Sequence, residues 1–158
     1  MNTKKSFLVW LIILFAVNLQ SQQWEPLGPD EFAQASVQEV DYLSHAINSE
    51  GVPFIAYSDR SVNSKITVKQ WTGTEWVFVG SQGFSVDIAR QVKLAIDKDN
   101  NLYVAYGDYS LSDKLTVQKF DAITNEWMNV GEPGFSSGRV SSLNIVVDPV
   151  SNYPCVAY

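Results

Sequence analysis

The 158-residue sequence has one cysteine, Cys155, and one histidine, His45. A lone thiol forms no internal disulfide, and without a Cys/His cluster there is no zinc-site spacing. Basic residues are also few: 11 Lys and Arg stand against 17 Asp and Glu, a net charge of −6. A surface this acidic repels nucleic acid and anionic lipid, so neither is an expected partner. There is no G-x-S-x-G elbow, phosphate-binding glycine loop or nucleophilic cysteine arrangement. No catalytic residue and no cofactor is therefore assigned. What remains is 46% hydrophobic and 13% aromatic, which excludes a disordered polyelectrolyte and fits a chain with a core.

One long apolar run exists, at the start. Lys4 and Lys5 precede Phe7–Val17, 11 apolar residues ending near the small Ser21. A membrane-spanning helix needs about 20 apolar residues. The shorter run with its basic flank predicts a secretory signal peptide over residues 1–21. Without Lys4 and Lys5 the chain carries nine bases against 17 acids, net −8. No cysteine lies near the expected cleavage point, so no lipid anchor is expected. The predicted location is secreted or cell surface, with no membrane span after cleavage.

Internal repetition organises the rest. WEPLG starts at Trp24, WVFVGSQGFS at Trp76 and WMNVGEPGFS at Trp127, spaced by 52 and 51 residues. FIAYSD ends at Asp59, YVAYGD at Asp108 and CVAY at Tyr158, while KITVKQW from Lys65 parallels KLTVQKF from Lys114. Within one period lie four strand-like segments of 5–7 residues: 92–96, 102–106, 114–120 and 126–130. They are rich in Val, Leu, Ile, Tyr and Trp and bounded by Gly, Asn, Asp and Ser. The fold expected for residues 22–158 is all-β.

Four short antiparallel strands at a period near 50 describe β-propeller blades. Complete blades are expected at about 41–80 and 91–131, a half blade at 143–158 and a lone strand at 24–28. About two and a half blades form an incomplete ring, since closure takes four or more. The remaining blades would come from more of the same chain or from other protomers. Trp24, Trp76 and Trp127 are expected to pack between blades, as are Phe32, Phe84 and Phe135, and Tyr57, Tyr106 and Tyr158.

Leu94–Asp108 (LAIDKDNNLYVAYGD) resembles an NHL-type propeller repeat, with an apolar strand, an Asp-led turn and a Tyr-Val-Ala strand. Ala46–Asp59 and Ile145–Tyr158 follow the same pattern. The WxxVGxxGFS element is similar to repeats in secreted propeller proteins of flavobacterium-like bacteria. That resemblance implies an exported bacterial propeller, and a sorting domain in sequence beyond Tyr158. The double glycines of kelch repeats and the Asp box of sialidases are absent.

Few residues suggest chemistry. His45 aligns with Leu94 and Ile145; it is expected either to pack on an inner strand or to face the central channel. Asp97, Asp99 and Asn101 have the alternating oxygen spacing that opens a calcium loop, although Leu102 stands where such a loop needs glycine. Turn-backbone hydrogen bonds explain the same residues. Asp59 and Asp108 cap a loop or, alternatively, form a ring of carboxylates. Trp71, Tyr109 and the 107–113 loop are candidate ligand contacts. The resulting expectation is an exported propeller segment that binds or scaffolds glycan or extracellular protein. The alternatives are a fragment of a propeller hydrolase or lyase with its active site in other blades, or an oligomeric lectin.

Overall fold

A computed structural model describes residues 25, 27, 28 and 40–158. The expected signal peptide, Trp24, Phe32 and part of the lone strand lie outside them. The described chain is all-β, with strands β1 (Asp41–Ile47), β2 (Pro53–Asp59), β3 (Lys65–Trp71) and β4 (Trp76–Phe78) forming a first antiparallel sheet in that order. β5 (Ala89–Ile96), β6 (Leu102–Asp108), β7 (Lys114–Asp121) and β8 (Glu126–Asn129) form a second. β9 (Asn144–Val147) and β10 (Pro154–Ala157) pair as a two-stranded third sheet.

β5 begins three residues before the apolar stretch expected to define it. Its register on β6 shifts between Arg90 and Lys93, and a matching shift in β1 falls between Asp41 and Ser44. At each bulge a non-glycine residue takes a positive φ: 55° at Gln91 and 53° at Tyr42. The extra residue lets Ala89 and Arg90 pair with Asp108 and Gly107 while the side chains downstream keep their facing.

The sheets stack face to face. Phe54, Ala56, Ile66 and Val68 of the first sheet share a core with Leu94, Val104 and Tyr106 of the second. Tyr103, Ala105, Leu115 and Val117, on the other face of the second sheet, share a core with Ile145 of the third and with Val140 and Leu143. All seven residues of β6 are buried. Along it Leu102, Val104 and Tyr106 join one core, while Tyr103 and Ala105 join the other. That is the period-2 signature of a strand covered on both sides. Each buried Val, Leu or Ile side chain contributes about 1.5–3 kcal/mol. β1 packs along β5, and β5 along β9, so the first strands of the sheets neighbour one another.

Beyond β4 and β8 the chain leaves the sheet and returns to the same edge. Val79, Phe84 and Ala89 donate their N–H groups to the carbonyls of Val68, Ile66 and Ser64 at 2.9–3.0 Å. Val130, Phe135 and Val140 do the same to Val117, Leu115 and Asp113 at 2.8–3.1 Å. The third strand of each four-stranded sheet therefore has a partnered edge beyond the short fourth strand.

Candidate functional site

The residues shared by the WxxVGxxGFS segments tie each to the segment one period earlier. Trp127 Nε1 donates to the Val79 carbonyl at 3.0 Å, and Trp76 Nε1 to the Leu27 carbonyl at 3.2 Å. Next to each acceptor sits a glycine at positive φ, Gly80 (+74°) close to Trp127 and Gly28 (+89°) closest to Trp71. A Cβ on Gly80 would stand 3.0 Å from Trp127 and 3.2 Å from Phe120. Trp127 is stacked on Phe84 (centroids 4.5 Å apart, planes at 7°) and tilted against Phe120 at 5.3 Å. Trp71 occupies the position matching Phe120: it is tilted against Trp76 at 5.5 Å and would be struck by a Cβ on Gly28. The structure thus packs this candidate ligand contact against Trp76 and the Gly28 backbone.

The serines of the same segments close the return loops. Ser85 Oγ accepts from Ile66 N at 3.1 Å and donates to the Asp87 carbonyl at 2.8 Å. Ser136 Oγ accepts from Leu115 N at 3.0 Å and donates to the Gly138 carbonyl at 2.6 Å. Both serines are buried.

Asp59 and Asp108 act as caps. Each accepts at Oδ1 from the backbone N–H two residues on, Ser61 and Ser110 respectively, at 3.0 Å, and so starts a single 3-10 turn. Asp59 Oδ2 also accepts from Thr67 Oγ1 at 2.9 Å and Gln82 Nε2 at 3.0 Å. Burial raises the Asp59 carboxyl, but hydrogen bonds from Gln82, Ser61 and Thr67 outweigh it and hold the group below the usual range. Burial, reinforced by Asp59 and Asp108, pushes the Tyr57 and Tyr106 phenols well above their ordinary value.

Asp97, Asp99 and Asn101 form a hydrogen-bonded turn ladder. Asp97 Oδ1 accepts from Asp99 N at 2.9 Å and Asn101 N at 2.8 Å. Its Oδ2 accepts from Asn101 Nδ2 at 2.7 Å and Tyr103 OH at 3.2 Å. Burial again opposes the charge, and the Asn101, Asp99 and Tyr103 hydrogen bonds outweigh it, lowering the carboxyl's pKa. Asp99 Oδ2 accepts from Asn152 Nδ2 of the next turn at 2.8 Å, and Ser49 N of the preceding turn donates to Asn100 Oδ1 at 3.0 Å. Asn101 thus points its amide at Asp97, where a shared calcium would need its oxygen. Among the described residues no group of three or more His, Cys, Asp and Glu side chains is placed to hold a metal ion.

His45 is exposed on β1 opposite Ile55, beside Leu43 and Ile47, which are exposed too. Its register equivalent Leu94, opposite Val104, is buried in the inter-sheet core.

Tyr109 does have a polar neighbourhood. It lies in the turn after β6, half exposed, with the Arg90 guanidinium 5.2 Å from its ring centroid. Arg90 Nη1 and Arg139 Nε both reach Asp113 Oδ2, at 3.4 and 3.3 Å. Asp113 is buried, and its Oδ1 has no hydrogen-bond partner among the described residues. Arg90, Asp113 and Arg139 were not legible as one cluster because they come from a bulge, a turn and a return loop. At the matching places of the first sheet, Arg60 holds Asp41 through two hydrogen bonds of 2.9 and 3.1 Å. The two sheets share the Asp59 and Asp108 caps and the Ser85 and Ser136 loop bonds, and differ in these ion pairs. A separate groove of about 350 Å³ runs between Asn101, Lys119, Phe120, Asp121, Ile123 and Met128.

A scan against protein-family models finds no match, and a search of curated proteins finds none either.

Proposed function

We propose that the chain is a segment of an exported β-propeller that serves as a binding or scaffolding module for glycan or protein ligands. The recurring joint supports the propeller reading: first strands lie side by side, and Trp76 and Trp127 are each tied to a carbonyl of the preceding segment. Sheets joined in this manner fan out as blades do. The binding reading rests on one contrast. Buried caps and loop serines repeat between the sheets, whereas the exposed end changes from an Arg60–Asp41 ion pair to a Tyr109–Arg90 stack. A rigid frame carrying variable loops is how recognition surfaces are built.

The ligand surface is the Tyr109, Arg90 and Arg139 end of the second sheet. An aromatic ring with guanidinium groups suits a sugar bearing a carboxylate, or an acidic protein segment. The test is a glycan array and a secreted-protein overlay probed with the tagged chain. Binding that falls about tenfold in Tyr109→Ala or Arg90→Ala supports the reading. A captured ligand that ignores both substitutions, or no capture on either surface, overturns it.

A further inference from the structure

Four positions at one end of the second sheet depart together from their counterparts in the first. Arg90, Tyr109, Asp113 and Arg139 stand where the first sheet has Asp41, Arg60, Ser64 and Ile88. In the first sheet the guanidinium is filled: Arg60 donates from Nε and Nη2 to the two carboxylate oxygens of Asp41, at 2.9 and 3.1 Å. In the second, two guanidinium groups share one oxygen, Asp113 Oδ2, at 3.4 Å from Arg90 Nη1 and 3.3 Å from Arg139 Nε. Two positive charges thus meet one negative charge, and neither arginine has a carboxylate across its fork. The Arg139 side chain is 65% exposed against 8% for Asp113, and its terminal nitrogens have no hydrogen-bond partner among the described residues. Asp113 Oδ1 is buried and bonds nothing among them either, so the side chain's one role in the fold is to hold the two guanidinium groups.

We propose that this end of the second sheet binds a single carboxylate-bearing sugar, a hexuronate, whose carboxylate lies across the terminal nitrogens of Arg139. The proposal rests on the reading of the Tyr109 end as the ligand surface and commits it to one ligand class. The Asp41–Arg60 pair of the first sheet displays the complement, a carboxylate laid along the edge of a guanidinium. Tyr109, half exposed, carries the apolar face of the sugar ring, and the Arg90 guanidinium 5.2 Å from its centroid holds the phenol ring in place. Asp113 is a positioning residue: it spans the two arginines and touches no ligand. Charge decides against an acidic protein segment. The cluster has one positive charge in excess within a chain of net −6, so a run of carboxylates is repelled by the rest of the surface. One carboxylate on an otherwise neutral sugar meets Arg139 at contact distance, where a bidentate pair outweighs the screened remote charges.

The experiment follows amide chemical shifts of the full chain titrated with the methyl glycosides of glucuronate and galacturonate. The methyl glycosides of glucose and galactose are the neutral controls, and a hexaglutamate peptide is the acidic-segment control. The expected result is saturable binding of one uronate, at least about tenfold tighter than its neutral counterpart. Arg139→Gln and Asp113→Asn should each bring the uronate down to the affinity of that counterpart, while Tyr109→Ala weakens both sugars. A merely structural role for Asp113 would move both affinities alike. The amide spectrum shows whether each variant is folded, and the largely exposed Arg139 keeps the test open if Asp113→Asn is not. No saturation by either uronate up to about 50 mM overturns the proposal. So does equal binding of uronate and neutral sugar, or a preference that survives either substitution. Tighter binding of hexaglutamate that Tyr109→Ala abolishes overturns the hexuronate and leaves the ligand surface standing. Uronate binding indifferent to both Tyr109→Ala and Arg90→Ala overturns the surface itself, and the proposal with it.

Discussion

Alanine at Gly80 and alanine at Gly131 separate the backbone cost of a left-handed residue from the cost of crowding an aromatic joint. The two glycines have nearly the same φ, +74° and +75°. Adding a Cβ at such a φ costs about 1 kcal/mol at either position. At Gly131 nothing further is met, but at Gly80 the Cβ arrives 3.0 Å from two Trp127 ring atoms and 3.2 Å from Phe120. Trp127 has no room to retreat: it lies between Phe84 and Phe120 and is held by its hydrogen bond to Val79. Overpacking of this kind adds about 1–3 kcal/mol. The expected losses are therefore about 1 kcal/mol for Gly131→Ala and about 2–4 kcal/mol for Gly80→Ala. Urea unfolding followed by far-ultraviolet circular dichroism measures both, provided the m-values agree with the parent chain. Losses equal to within about 0.5 kcal/mol would refute the idea that the glycine is there to admit the indole.

Two other predictions concern buried polar groups. Ser85→Ala and Ser136→Ala each remove the hydroxyl that accepts from a strand N–H, Ile66 or Leu115, and donates to a loop carbonyl. Each should cost about 1–3 kcal/mol in the same urea assay, and a neutral result at both would show that the loops hold without them. Acid should also unfold the chain. Asp59 and Asp97 have lowered pKa values when folded, so the unfolded chain binds more protons below the ordinary aspartate value. Their stabilisation is complete above about pH 4 and is lost as pH falls through the lower folded values. Melting temperatures recorded from neutral pH downward should drop in that window, and a flat acid limb contradicts the assignment.

The strands and their antiparallel order were legible because inner segments such as VKLAI and LYVAY are nearly continuous apolar runs, while KLTVQKF alternates. The bulges at Tyr42 and Gln91 were not, since neither residue type advertises a positive φ and both lie next to ordinary strand sequence. The aromatic periodicity pointed to packing, but Trp71 was still readable as a surface platform. Its role appears only when the neighbouring segment brings Gly28 beneath it. Asp97, Asp99 and Asn101 have a spacing that suits either a cation or a turn. The choice depends on whether the Asn101 amide nitrogen or oxygen faces Asp97, which spacing alone does not encode. The Tyr109 cluster needed three separate segments folded together before its charges could be seen as neighbours.

Among the described residues the second sheet takes part in both apolar cores, the first and third in one each. Such a stack behaves as a nearest-neighbour chain, in which an interior layer opens only after a layer beside it has come away. Amide hydrogen exchange should follow that order. β6, buried at all seven positions, would hold its protons close to the limit set by global unfolding, while β9 and β10 would give theirs up through local opening. Within the described stack the outer layers would then be kinetically soft and the middle slow, an asymmetry arising from which layers have two neighbours.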